Sequence, residues 1–270
     1  MNRFPKTAFL LLILSLQSFA QINPGARQVA LAHADASYSS DVFQLFNNPA
    51  GLAMAKSREV GMYYSPAPFS LKELANAYAA YSEPTSYGTF SAGFSIYGFE
   101  LYKETQFAIG YGRKITENFF IGGTAVYKNL AIKNYGTKGT VYLNLGGIAN
   151  VNEQVGFGFA IENITRSTLS DESGQLPTVL SGGVYLKAIK EFIFSAALRK
   201  EVGYNPSLRI GAEYSMLDFI RLRFGAHNEP NIFSGGFGII YQFLQVDYAV
   251  TTHPDLGLTH QFGLILRFAK

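Results

Sequence analysis

The sequence contains no cysteine among its 270 residues. Disulfide bonds, thiolate metal ligands and a lipid-bearing N-terminal cysteine are therefore excluded. Charged residues make up only 15% of the chain, against roughly 25% in typical soluble domains. The net charge is only +3, and the basic residues are scattered along the chain. This argues against nucleic-acid binding, which requires clustered Lys and Arg.

The first 20 residues have the pattern of a secretory signal peptide. Arg3 and Lys6 precede an apolar run over residues 8–16, and small residues close the segment at Ala20. A membrane anchor is the alternative, but the run is too short to span roughly 30 Å of hydrocarbon. We expect cleavage between Ala20 and Gln21, which exports the remaining chain from the cytoplasm.

Beyond residue 20, the chain also lacks a long apolar run. No stretch approaches the roughly 18 apolar residues that a membrane-spanning helix requires. Aromatic residues and glycine are abundant instead, with 23 Phe, 17 Tyr and 27 Gly. An exported chain of this composition can cross a bilayer as a closed β-barrel, because a barrel satisfies every backbone amide internally.

Alternation with a period of two residues predicts the strands. Between 155 and 162, Phe157 and Phe159 share one face, whereas Gly156 and Gly158 share the other. The second face is mostly small, as expected for the interior of a barrel. About fourteen such segments occur, near 57–65, 71–82, 87–97, 104–113, 118–130, 138–148, 154–164, 177–188, 191–201, 206–215, 217–227, 231–243, 244–252 and 257–268. We predict an all-β fold, a transmembrane antiparallel up-and-down β-barrel over residues 57–270.

The connections between these segments alternate in length. Every second connection is short, and we expect these to be periplasmic turns at 83–86, 115–118, 151–154, 188–191, 216–217 and 243–244. The others are expected to be outer loops, of which 165–177 is the longest and 133–139 the next longest. Short turns on one side and longer loops on the other are typical of outer-membrane barrels.

Residues 21–56 do not alternate, and they predict short helical turns. Pro49 disfavours the helical conformation at Asn48, and Gly51 permits a turn that other residues avoid. One interpretation is an amphipathic leader or a disordered tail. The other is a plug that fills the barrel, since a fourteen-stranded barrel encloses a lumen that leaks if it is empty.

The N-terminal segment also resembles a known family. Residues 25–53, GARQVALAHADASYSSDVFQLFNNPAGLA, are similar to the N-terminal motif of the PorV/PorQ family, which is related to the FadL long-chain fatty-acid transporters. The matching positions are Gly25, Ala26, Arg27, Asp41, Asn48, Pro49, Ala50, Gly51, Leu52 and Ala53. Residues 209–227 and 246–268 are similar to the closing strands of that family.

This resemblance implies a location in the outer membrane of a Gram-negative-type bacterium, in contact with its lipid. It implies either an accessory role in type IX protein secretion, with secretion-system components or exported cargo as partners, or transport of apolar, fatty-acid-like small molecules. A closed structural barrel that presents loop 165–177 to a partner is a further alternative. A soluble periplasmic lipid-binding β-protein is the least favoured alternative.

The sequence predicts no enzymatic activity, no cofactor and no metal site. The four histidines, His33, His227, His253 and His260, do not have a metal-binding spacing. Charged residues on the strands must face the lumen, because a charge facing lipid near the midplane costs about 2–4 kcal/mol. The candidate site residues are Asn48, Pro49 and Gly51 of the plug, the last two as a hinge, and the charged residues Glu213, Arg221, Arg223, Asp247 and Arg267. The charges form either a network that holds the plug or a lining that attracts a carboxylate ligand.

Overall fold

The computed structural model describes residues 23–38, 41–169 and 175–268. The predicted signal peptide, residues 1–20, lies outside the described residues, as does part of the predicted loop 165–177. Fourteen antiparallel strands form a closed barrel in which each strand pairs with its neighbours in the chain. The fold is nearly all-β, with a few short helices concentrated near the N-terminus. The prediction of a fourteen-stranded antiparallel barrel is confirmed.

The strands and helices have the following bounds. The strands are β1 Arg58–Ser65, β2 Asn76–Thr85, β3 Gly88–Gly98, β4 Tyr102–Thr116, β5 Phe119–Ile132, β6 Gly136–Asn150, β7 Val155–Glu162, β8 Val179–Ile189, β9 Phe192–Glu201, β10 Ser207–Leu217, β11 Ile220–His227, β12 Ile232–Tyr241, β13 Leu244–His253 and β14 Gly257–Phe268. Ahead of them lie the helix α1 Ala26–Ala30 and the 3-10 helices η1 Val42–Leu45 and η2 Pro49–Met54. Two further 3-10 turns, η3 Pro68–Ser70 and η4 Lys72–Leu74, lie between β1 and β2.

The alternation in sequence becomes an apolar exterior and a small-residue interior. Phe157 and Phe159 on β7 are about half exposed, at 52% and 50%, on the outside of the barrel. Gly158 between them faces inward, where a Cβ would lie 2.4 Å from the carbonyl oxygen of Ala36. Large outward residues recur on the other strands, among them Phe107, Leu198 and Phe262. The outside of the barrel is therefore apolar and suited to contact with hydrocarbon, and its inside is filled by the N-terminal segment.

The longest connections lie at one end of the barrel, as expected, although 99–101, 133–135 and 254–256 at that end are shorter than the turn 151–154 at the other. The six even-numbered connections are short turns at 86–87, 117–118, 151–154, 190–191, 218–219 and 242–243. The odd-numbered connections lie at the other end of the barrel and include the two longest, 66–75 and 163–178. We assign the end with short turns to the periplasm and the other end to the exterior, because outer-membrane barrels have this asymmetry. No helix among the described residues is long and apolar enough to cross a membrane.

Of the predicted connections, only the turn 151–154 keeps its bounds, and the others shift by one to four residues. The predicted turn 83–86 is shorter, because β2 continues through Pro84, which pairs with Thr89 of β3. Proline is tolerated there because the pairing of β2 with β1 ends at Ser82, so no partner on that side needs its missing N–H. The predicted long loop 133–139 is wrong. The β5–β6 hairpin pairs as far as Ile132 and Gly136, and the connection shrinks to 133–135.

Candidate functional site

The N-terminal segment lies inside the barrel and crosses the lumen from wall to wall. Helix α1 packs against β11 to β14, whereas η2 packs against β3 to β6 on the opposite side. Between them, η1 contacts β1 to β4. Its side chains Val42, Phe43 and Leu45 are almost completely buried. We call residues 23–38 and 41–56 the plug.

The Asn48–Pro49 pair forms the start of η2. Asn48 is extended, with φ −125° and ψ 102°, and its side-chain oxygen accepts a hydrogen bond from the N–H of Ala50 at 3.1 Å. Its amide nitrogen donates to the carbonyl oxygen of Ala36 at 2.6 Å, so Asn48 ties two parts of the plug together. The turn predicted at Gly51 is wrong, since Gly51 has no positive φ and lies within the regular 3-10 helix. The chain reverses through the extended Asn48 and the helix-initiating Pro49 instead.

The wall behind η2 is made of glycine. A Cβ on Gly122 would lie 2.2 Å from the carbonyl oxygen of Pro49, and one on Gly112 would lie 2.6 Å from the backbone nitrogen of Ala53. The remaining inward glycines of this wall, Gly93, Gly110 and Gly146, each meet plug atoms in the same way. The plug backbone therefore approaches the β3–β6 wall more closely than any side chain on the wall would allow. We call this wall the glycine wall.

The opposite wall holds the plug by charge. Arg27 of α1 donates from Nε to the Glu213 carboxylate at 2.9 Å, and Arg223 donates from its own Nε to the same carboxylate oxygen at 2.6 Å. The Nη1 of Arg223 lies 2.6 Å from the Asp247 carboxylate, and all of these side chains are largely or wholly buried. Charge-assisted hydrogen bonds of this kind are stronger than neutral ones.

The same network continues around the barrel and returns to the plug. Gln245 donates to Asp247 at 2.5 Å and accepts from Arg267 at 2.7 Å. Arg267 binds Glu59 at 2.8 Å, and Glu59 accepts a hydrogen bond from the backbone N–H of Val42 in η1 at 2.9 Å. A continuous polar chain from Arg27 to Val42 therefore joins α1 and the start of η1 to β10, β11, β13, β14 and β1. We call it the ionic belt.

Four of the five predicted lumen charges belong to the ionic belt, and Arg221 does not. Strand register places Glu213 opposite Arg223 but places Ser215 opposite Arg221. Arg221 donates instead to the carbonyl oxygen of Leu217 at 2.6 Å, beside the short turn. Glu213 therefore lies beside Arg223 but not beside Arg221.

Sequence reasoning missed Glu59, Gln245 and the role of Arg27 as an anchor. Glu59 was identifiable, because it shares its strand face with Gly61 and Tyr63, which point inward. A second buried pair was also missed: Lys128 on β5 lies 2.7 Å from the Glu104 carboxylate on β4.

Within the plug, burial raises the pKa of Asp35 to about 6, although the Arg27 guanidinium, 3.8 Å away, opposes this shift. Among the described residues, no group of His, Asp and Glu is arranged to hold a metal ion.

A small cavity lies on the extracellular side of the plug. Its volume is about 20 Å³, enough for one water molecule. Phe46 of the plug forms part of its lining, with Tyr78 and Tyr142 of the wall and Leu176 of the loop 163–178. Asn163 holds that loop in place, since its side chain donates to the carbonyl oxygen of Leu176 at 3.0 Å. At this point, the plug leaves a space of about one water molecule between itself and the described residues of the wall and loop.

Comparisons with known proteins identify the fold. No family model matches the chain, and no curated protein matches its sequence. Among solved structures, the toluene transporter TbuX of Ralstonia pickettii is similar with a TM-score of 0.68 and 13% identity, over 95% of this chain and 100% of that one. The Pseudomonas putida toluene transporter TodX gives 0.68 and 11%, over 93% and 100%. A FadL homologue from Pseudomonas aeruginosa gives 0.67 and 11%, over 92% and 99%. The chain shares the fold of these outer-membrane barrels.

Proposed function

We propose that this protein transports apolar small molecules across the outer membrane. The supporting observation is the asymmetry of the plug, which is held by buried ion pairs on one wall and by uncharged contacts on the opposite one, including a hydrogen bond from the Thr124 hydroxyl to the carbonyl oxygen of Leu45 at 3.0 Å. The ionic belt fixes α1 and the start of η1. On the glycine wall, the end of η1 and η2 are held by side chains such as Leu45 and Leu52, which pack against glycine positions.

The passage opens where the plug is held less tightly. Moving η2 away from the glycine wall requires no buried ion pair to separate, whereas moving α1 requires the Arg27–Glu213 pair to separate. The vacated space is bordered by Ala108, Gly110 and Gly122, which are small and uncharged and favour an apolar molecule. The cavity beside Phe46 lies at the extracellular end of this route. The fold shared with two toluene transporters supports the same substrate class.

Engineered disulfides test which half of the plug moves, and the absence of native cysteine makes them specific. Leu52→Cys with Gly112→Cys ties η2 to the glycine wall, since the Cβ atoms are 2.9 Å apart. Ala26→Cys with Gly263→Cys ties α1 to β14 across 3.3 Å and serves as the matched control. Both distances are within about 1 Å of the roughly 3.8 Å of a disulfide.

The assay is uptake of radiolabelled toluene and of a long-chain fatty acid by cells that express each variant. We expect the oxidised Leu52–Gly112 variant to lose uptake and to regain it on reduction. The oxidised Ala26–Gly263 variant is expected to transport like the unmodified protein. Unchanged uptake through the oxidised Leu52–Gly112 variant contradicts the proposed route. Absence of uptake by the unmodified barrel contradicts transport itself.

A role in type IX secretion is the second candidate, and it is supported by the likeness of residues 25–53 to the PorV/PorQ motif. The loop 163–178 is the candidate contact for a protein partner, and Asn163 holds its base through hydrogen bonds with Ser167 and Leu176. Deleting 168–175 leaves the barrel strands intact. Under this hypothesis, the deletion abolishes co-purification of a secretion component, whereas transport of toluene is unaffected.

A further inference from the structure

A groove of about 560 Å³ runs over the outside of the barrel across β2 to β5. Its floor consists of the small outward residues Ala92, Gly123 and Ala125, and its sides include Phe90 and Ile109. Large outward side chains such as Phe157 and Phe159 cover β7, although single small outward residues such as Gly182 on β8 also occur elsewhere on the barrel. The groove is therefore a depression in an otherwise convex apolar wall.

Two tyrosines keep the groove open by turning toward the periplasmic rim. The hydroxyl of Tyr111 donates to the carbonyl oxygen of Tyr87 in the β2–β3 turn, and the hydroxyl of Tyr81 donates to Glu83. The Tyr111 ring packs on Phe90, with 5.0 Å between the ring centroids. The rings therefore lean away from the floor, and the polar end of the groove lies at the short-turn end of the barrel.

The rim beside the groove carries one cation without an acidic partner among the described residues. Arg58 is paired with Glu83 and Lys114 with Glu117. Arg113 lies two residues beyond Tyr111 on the same outward face and is exposed. A guanidinium in this position is available for bidentate binding of a phosphate.

We propose that the groove binds one phospholipid of the periplasmic leaflet, with an acyl chain over Ala92 and Ala125 and its phosphate on Arg113. The small apolar floor leaves room for a hydrocarbon chain to pack directly against the barrel wall, where it gains van der Waals contact. The position of the groove along the barrel axis selects the leaflet, because the β2–β3 turn that borders it lies at the periplasmic end. This proposal is independent of transport, since the groove lies outside the barrel wall.

Native mass spectrometry tests the proposal on the full-length barrel purified in mild detergent, with dioleoyl-phosphatidylglycerol added. Ala92→Leu with Ala125→Leu fills the groove, and Ala196→Leu on the outward face of β9 is the matched control. We expect one bound phospholipid per barrel for the unmodified protein and the control, and at least about tenfold weaker binding for the filled variant. Arg113→Glu is expected to weaken binding, whereas Arg113→Lys preserves it. A heat-modifiability gel checks that each variant is folded.

Equal phospholipid binding by the filled variant and the Ala196→Leu control overturns the proposal, as does binding that is indifferent to Arg113→Glu. Selective retention of lipopolysaccharide instead of phospholipid also overturns it, because that lipid belongs to the opposite leaflet. All these substitutions lie on the lipid-facing surface. They leave the plug and the ionic belt untouched, so transport activity provides a separate check on the fold.

Discussion

Removing the central cation of the ionic belt gives the sharpest test of how the plug is held. Arg223 is only 1% exposed, and it binds Glu213 and Asp247 at 2.6 Å each. Arg223→Met keeps the length of the side chain but leaves Asp247 buried with only the Gln245 amide opposite it. Breaking a buried ion pair from one side costs about 3–5 kcal/mol. We expect the free energy of unfolding to fall by that amount.

Arg221→Met is the matched control for this measurement. It removes the same charge two residues away on the same strand, but Arg221 contacts backbone carbonyls at the rim. We expect it to cost under about 1 kcal/mol. Urea unfolding in detergent micelles, followed by tyrosine fluorescence and by the heat-modifiability gel, measures both variants.

A double variant separates loss of charge pairing from loss of packing. Adding Asp247→Asn to Arg223→Met removes the stranded carboxylate and is expected to recover part of the lost stability. The coupling energy expected for such neighbours is about 0.5–3 kcal/mol. The reasoning is refuted if Arg223→Met and Arg221→Met destabilise equally, or if the double variant shows no coupling.

Three further predictions concern the plug. Gly122→Ala forces a Cβ against Pro49 and is expected to cost about 1–3 kcal/mol in urea unfolding, whereas Gly182→Ala, in open space, is expected to be near neutral. Asn48→Ala removes the cap of η2 and is expected to cost about 1–2 kcal/mol and to speed proteolysis of that segment; unchanged proteolysis contradicts this. Because burial raises the pKa of Asp35 to about 6, its protonated form stabilises the fold below pH 4, and this stability is lost as the pH rises through 6. Asp35→Asn is therefore expected to be more stable than the unmodified protein at pH 7.5, and an equal pH dependence of the two refutes it.

The number and order of strands were predictable from the sequence because each strand carries its own alternating pattern. The positions of the loops followed from the gaps between patterns. Loop 133–139 was mispredicted because polar residues continue a hairpin above the membrane as readily as they form a loop. There the hydrocarbon no longer requires an apolar outward face.

The contacts of the lumen charges were less predictable. Arg221 and Arg223 have the same residue type, the same parity and the same strand, yet only one of them enters the ionic belt. The difference is set by the hairpin register, which shifts between Ser215 and Leu217. The link from Arg27 to Glu213 spans 186 positions in the chain, and nothing local in the sequence indicates it. Alternation fixes which face a residue occupies, but not which partner it meets.

The seam between β1 and β14 constrains the order of assembly. β1 follows the plug directly in the chain, and it cannot complete its pairing until β14 arrives. Glu59 and Arg267 meet across this seam, and Glu59 also holds the backbone of Val42. The closing step of the cylinder is thus also the step that captures its contents. If β1 and β14 pair before the plug has entered the lumen, the plug is left outside the closed barrel. Pairing of the last strand is therefore coupled to correct placement of the plug.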